Sequence, residues 1–141
     1  MSHARPILVV EDSDEDFETV LDAAQRAGVA NEVRRATNGA DCLRLLREGS
    51  LKPRDFPALV LMDLNTPGVD GREALQEIKH DDSLRALPVI VLSASANPRD
   101  VELCYANGVN AYHVKPVSHS DHLHILEQIF GYWLSRTLLP A

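Results

Sequence analysis

Ala58-Leu59-Val60-Leu61-Met62-Asp63 is a run of apolar residues closed by one carboxylate, and the same device appears earlier as Pro6-Ile7-Leu8-Val9-Val10-Glu11-Asp12. Apolar runs of this length without alternation fit strands covered on both faces, as in a parallel sheet between two layers of helices. Working outward, Ser13 or Asp14 caps a helix that carries Phe17, Val20, Leu21 and Ala24 at helical spacing and ends near Gly28. Residues 32–36 form a weaker strand, and Asn38-Gly39 opens a second helix with Leu43, Leu45 and Leu46 that stops around Gly49. Residues 50–57, with Pro53 and Pro57, are an extended loop. After a Pro67-Gly68 turn, a helix from about Gly71 carries Ala74, Leu75 and Ile78. Pro88-Val89-Ile90-Val91-Leu92-Ser93 is a fourth strand, followed by a helix from about Pro98 with Val101, Leu103 and Cys104 that ends at Asn107-Gly108. Residues 111–114 make a fifth strand before Lys115-Pro116, and a last helix holds Leu123, Ile125, Leu126, Ile129, Phe130 and Trp133. Strand and helix alternating in this way predict an α/β fold, a doubly wound parallel sheet of five strands with helices on both faces.

Composition bounds the function. The 141 residues, 45% of them hydrophobic, are expected to form one domain over 1–141, with a core at about 5–131 and an apolar extension at 132–141. Fourteen Lys and Arg against 21 Asp and Glu give a net charge of −7, with no basic run, so direct contact with nucleic acid is not expected. Cys42 and Cys104 lie far apart and in no CxxC arrangement, which reads as free thiols in a reducing compartment. The first apolar run meets an acidic pair too soon for a signal peptide or a membrane span, so a soluble cytoplasmic protein without membrane contact is expected.

In an open parallel sheet, ligands bind beyond the carboxyl ends of the strands, where strand order reverses. The residues at those ends are Glu11 and Asp12, Asp63, Ser93 and Lys115. With strand order 2-1-3-4-5 the first and third strands are neighbours, and their three carboxylates meet. Two carboxylates about 4 Å apart repel by roughly 4 kcal/mol at an effective dielectric near 20, so the cluster must take up a proton or a cation. An all-oxygen donor set favours Mg²⁺ or Mn²⁺ over zinc, and Mg²⁺ commonly completes its shell with phosphate. Lys115 supplies a compact positive charge for phosphoryl oxygens and Ser93 a hydroxyl. Asp63, at the tip of the most apolar strand, is the carboxylate best placed to attack phosphorus and form an acyl phosphate.

The ordered set Glu11-Asp12, Asp63-Leu64-Asn65-Thr66-Pro67-Gly68-Val69-Asp70-Gly71, Ser93-Ala94 and Tyr112-His113-Val114-Lys115-Pro116 resembles the receiver domain of two-component response regulators, from about Arg5 to Gly131. The resemblance implies a flavodoxin-like (βα)₅ fold that takes a phosphoryl group from a sensor histidine kinase. It implies Asp63 as phosphoacceptor, Mg²⁺ on Asp12, Asp63 and the Asn65 carbonyl with Glu11 reaching the ion through water, and Ser93 and Tyr112 as a switch pair. A finer resemblance, to stand-alone receivers that accompany phytochrome-type histidine kinases, rests on the 49–57 loop, on Asp63-Leu64-Asn65 followed by Asp70-Gly71-Arg72-Glu73, and on the apolar tail. It implies a kinase of the bacteriophytochrome type and output through a downstream protein or a phosphotransfer protein.

Other readings stand beside these. Acidic residues after strands also cap helices. Gly68 and Gly71 are assigned to turn geometry. His119, His122 and His124 are read as a solvated face and not as a zinc site, since only His119 and His122 share a helical face. Phe130, Trp133, Leu134, Leu138 and Leu139 either pack on their own domain or dock on a second copy, and a homodimer through them is the expectation. A Mg²⁺-dependent phosphohydrolase using an aspartyl phosphate is the enzymatic alternative, but it needs a second Asp where Asn65 stands. A non-phosphorylated binding module is the other; a flavin-binding version is disfavoured by the acidic loop 11–16.

Overall fold

In the computed structural model, which describes residues 4–49, 52–66, 68 and 70–140, the strands are β1 (Ile7–Val10), β2 (Val33–Ala36), β3 (Leu59–Met62), β4 (Val89–Ser93) and β5 (Ala111–Val114). The helices are α1 (Asp14–Arg26), α2 (Gly39–Gly49), α3 (Gly71–His80), α4 (Pro98–Ala106) and α5 (His119–Gly131). All strand pairs are parallel and the sheet order is β2-β1-β3-β4-β5. Ser50 and Leu51 of the expected loop, and Pro67 of the expected turn, lie outside the described residues; the described part of that loop includes a 3₁₀ turn at Pro53–Asp55.

The apolar runs are continuous because alternate residues serve opposite layers. Leu8, Val10, Val60, Met62, Val89 and Val91 face a core closed by α2, α3 and Cys104 of α4. Ile7, Val9, Leu59, Leu61, Ile90 and Leu92 face a second core closed by α1 and α5. Cys42 and Cys104 are both buried free thiols in the first core. Burial pushes the Cys42 thiol up to about 12, aided by the charge of Asp41.

Local signals place the helix starts. Ser13 Oγ accepts from the Asp16 N–H at 3.2 Å and caps α1, whose first turn is acidic at the positive end of the helix dipole. Asp70 caps α3 by accepting from the Arg72 and Glu73 N–H groups. Gly71 is required for more than turn geometry: a Cβ there would stand 2.6 Å from the Asp63 carbonyl oxygen and 2.8 Å from Leu64 Cα. The α3 N-terminus therefore presses directly on the end of β3.

Three expectations need correction. Leu21, expected on the inner face of α1, is 41% exposed, because that face is built by Thr19, Val20, Ala23 and Ala24. In α4, Leu103 is 49% exposed and Cys104 is the one buried residue. His122 does not belong to a solvated face: it is buried, and burial holds its imidazole below the usual range. Phe130, expected on a docking arm, is fully buried in the core between α5 and the sheet.

The tail continues α5 as a π-helical turn, Tyr132–Arg136. Trp133, Leu134 and Leu139 pack back on the α1/α5 core, and Arg5 Nη2 donates to the Pro140 carbonyl at 2.6 Å. Leu138 is 98% exposed.

Gly71→Ala is expected to destabilise the fold by about 1–3 kcal/mol, since the new methyl meets backbone on both contacts. Urea denaturation checks it, and an unchanged midpoint would contradict the close approach.

Candidate functional site

All strands are parallel and β1 neighbours β3, so the carboxyl ends of β1 and β3 lie side by side, and that of β5, beyond β4, lies along the same edge of the sheet. Lys115, one residue past β5, extends its ammonium across the end of the sheet. Its Nζ lies 2.9 Å from Asp16 Oδ2, 3.1 Å from Glu11 Oε1 and 3.1 Å from Asp63 Oδ2. Burial alone would depress the Lys115 pKa, but Asp16, Asp63 and Glu11 more than offset it, and the ammonium is held charged.

Glu11 is buried, and its second oxygen accepts from the Ser13 N–H at 3.2 Å. Burial drives its pKa up to about 7; Lys115 opposes the shift and the charge of Asp63 adds to it. Asp63 has both oxygens held, Oδ2 by Lys115 and Oδ1 by the Asn65 N–H at 3.0 Å. Asp12 is exposed at the mouth of the site. Glu11, Asp12 and Asp63 each offer one oxygen, all within 4.8 Å of one another. Among the described residues this is the one group of three or more His, Cys, Asp or Glu side chains with metal-site geometry. Hard oxygens at this spacing fit Mg²⁺ or Mn²⁺ better than zinc.

Ser93, fully buried at the end of β4, accepts a hydrogen bond on Oγ from the Ser95 N–H at 3.1 Å. Tyr112 on β5 lies half-buried against the α2/α3/α4 core and donates its hydroxyl to the Ser95 carbonyl at 2.8 Å. Asn65 follows the end of β3 with its side chain exposed. The residues expected at the strand ends are thus brought to one end of the sheet, whereas Phe130, Trp133, Leu134, Leu138 and Leu139 belong to α5 and its tail. Asp16 was not foreseen as a site residue. As an acid in the first turn of α1 it reads as a helix-terminus charge, and only the fold brings it to Lys115.

The family model for the response regulator receiver domain matches residues 7–127. This chain belongs to the response regulator receiver family. The receiver is 38% identical over 135 residues to the probable methanogenesis regulatory protein FilR2 of Methanothrix harundinacea, an alignment covering 96% of this chain and 87% of that protein. It is 35% identical over 136 residues to the response regulator Rcp1 of Synechocystis, covering 96% and 92%; a crystal structure of Mn(2+)-bound Rcp1 superposes with a TM-score of 0.91 over 99% of this chain and 100% of that one, at 34% identity. The phosphorylated cyanobacterial phytochrome response regulator RcpA superposes equally well, with a TM-score of 0.91 at 37% identity over 99% and 100% of the two chains. The receiver is therefore a signalling switch of the two-component type. No helix among its described residues is long and apolar enough to cross a membrane.

Removing the receiver's central ammonium should expose the repulsion it balances. Lys115→Met is expected to lose about 2 kcal/mol of stability in chelator, below the 3–5 kcal/mol of a fully buried broken pair because Asp16 is partly solvated. Mg²⁺ should raise the melting temperature of the variant more than that of the wild type. Equal rises in thermal melts would contradict the electrostatic account.

Proposed function

We propose that Asp63 is the phosphoacceptor of this receiver, taking a phosphoryl group from a phosphohistidine of a sensor histidine kinase. The observation that carries the reading is the Asp63 carboxylate itself. It is held on one oxygen by Lys115 and on the other by the Asn65 N–H, beside two further carboxylates with room for a hard cation between them. An Asp63 oxygen attacks phosphorus, the N–P bond breaks, and its electron pair returns to the imidazole nitrogen of the donor, which takes up a proton. Asp12, Asp63 and the Asn65 carbonyl would hold Mg²⁺ or Mn²⁺, with Glu11 reaching it through water; when bound, the ion supplies charge neutralisation for the phosphoryl oxygens. Lys115 shifts from the carboxylate to the phosphoryl group and stabilises the charge that develops during transfer. Ser93 donates its hydroxyl to another phosphoryl oxygen.

The mark adds about −1.5 to −2 charges to a pocket balanced for a carboxylate. The β4–α4 loop follows the new oxygens through Ser93, and Tyr112 follows through its bond to Ser95, so α4 and β5 form the surface that a downstream or phosphotransfer protein reads. Loss of the phosphoryl group is slow hydrolysis, in which water attacks phosphorus and inorganic phosphate leaves, with the exposed Asn65 amide orienting the water. A turnover phosphohydrolase needs an acid/base at that position, and a neutral amide cannot serve as one. The likeness to Rcp1 and RcpA supports a phytochrome-type kinase as the donor, and the buried free thiols support a cytoplasmic site of action. The extent of the match supports a single receiver domain over the whole chain.

The tail supports a homodimer over a narrower surface than the sequence alone suggested. Trp133, Leu134 and Leu139 are partly taken up by their own domain, leaving Leu138 and the half-exposed Tyr132 to meet a second copy.

Acetyl phosphate in Mg²⁺ should label the wild type once per chain on phosphate-affinity gels, with no label in chelator. Asp63→Asn should lose the label entirely; unchanged labelling would put the acceptor elsewhere. Lys115→Ala should still accept some label but mute the response of α4, read by amide hydrogen exchange. In sedimentation equilibrium, Leu138→Asp should shift a dimer toward monomer, and an unaltered mass would remove the tail from the interface.

A further inference from the structure

Between α3 and α4 runs a chain of polar contacts that the transfer chemistry does not itself use. Arg72, the second residue of α3, donates Nε to Asp100 Oδ1 at 2.9 Å and Nη2 to Asp100 Oδ2 at 3.1 Å, a two-point fork across to α4. Its Nη1 reaches Asp70 Oδ2 at 3.2 Å, the cap of α3. Asp100 Oδ2 also accepts from Ser95 Oγ at 2.6 Å. Ser95 in turn gives its N–H to Ser93 and accepts the Tyr112 hydroxyl on its carbonyl. One residue of the β4–α4 loop is thereby bonded to both members of the switch pair and, through Asp100, to the helix that begins at the acceptor loop.

The energetic weight of this chain follows from what α4 lacks. With Cys104 as its one buried residue, α4 has little apolar area fixing it to the sheet. A fork-on-fork guanidinium–carboxylate pair is directional and among the stronger polar contacts available. Both partners are mostly withdrawn from solvent, at 28% and 20% side-chain exposure. Arg72 and Ser95 hold the Asp100 carboxyl down at about 2, and the contact stays charged across the physiological range.

We infer that Arg72 and Asp100 are positioning residues for phosphoryl binding: through Ser95 they hold the Ser93 hydroxyl and the Tyr112 ring in place before the phosphoryl group arrives. The inference rests on Asp63 being the acceptor. Without the pair, the loop must be ordered at the expense of ligand affinity, the ordinary cost of lost preorganisation. The carboxylates offered to a cation end β1 and β3, outside the chain, so cation binding should not feel its loss.

Beryllofluoride in Mg²⁺, titrated into the full chain by calorimetry, is the probe, with Mg²⁺ alone as the second ligand. Arg72→Met and Asp100→Asn are each expected to weaken beryllofluoride by about tenfold, one and a half hydrogen bonds' worth at most. Mg²⁺ affinity should stay within about twofold, and the double variant should be no weaker than either single, because both remove the same contact. Arg72→Lys should not rescue, since an ammonium cannot make the fork. Ser95→Ala keeps its backbone bonds to Ser93 and Tyr112 but cuts the link to Asp100, and should lose about as much as either single variant. Unchanged beryllofluoride affinity in both single variants overturns the inference, as does a double variant whose loss is the product of the two. So does a parallel fall in Mg²⁺ affinity, the mark of a general structural role. A wild type that fails to bind beryllofluoride, or an Asp63→Asn variant that binds it equally well, would instead remove the acceptor assignment and this inference with it.

Discussion

A single ammonium, that of Lys115, stands among three carboxylates contributed by β1, α1 and β3, and the end of the sheet is organised around it. Without that charge, Glu11, Asp16 and Asp63 would crowd one another in a partly desolvated place. With it, the carboxylates are held close enough for a divalent ion while one of them remains free to exchange its partner. The balance is deliberately incomplete: three negative groups share one positive one, and burial leaves Glu11 with a pKa near 7. Such a pocket has affinity in reserve for a cation, and then for an anion that brings its own oxygens.

The rest of the fold delivers these groups to one place. Crossing from β1 to β2 on one side and to β3 on the other leaves the end of β1 at the reversal of strand order, where side chains from separate segments meet without a helix between them. Both faces of the sheet are covered along β1, β3 and β4, so these three inner strands tolerate no polar residues until their ends, and the first polar residue after each of their apolar runs is automatically at the rim. Gly71 completes the arrangement by letting α3 begin against the backbone of Asp63.

That logic explains what could be read from the chain and what could not. Val10-Glu11-Asp12, Met62-Asp63 and Val114-Lys115 announce both strand and site, because one pattern encodes both. Asp16 announces only a helix start; its second role depends on how α1 packs beside α5 and brings its first turn to Lys115, which no local signal records. Arg72 and Asp100 are 28 positions apart and look like ordinary surface charges until α3 and α4 are set side by side. The tail was ambiguous for a different reason. Apolar bulk specifies that something must cover it, but the same side chains can be covered by their own domain or by another, and Phe130 and Trp133 turn out to be claimed at home to different degrees.

The scant contribution of α4 to the interior has an evolutionary side. Arg99, Glu102, Leu103 and Ala106 are exposed and can be exchanged without disturbing either core. A cell that keeps many such proteins from answering one another's signals needs surfaces on which discrimination can drift, including toward residues that repel the wrong listener. Here that freedom lies on a helix fastened by charge and not by oil, so recognition can diversify while the scaffold stays the same.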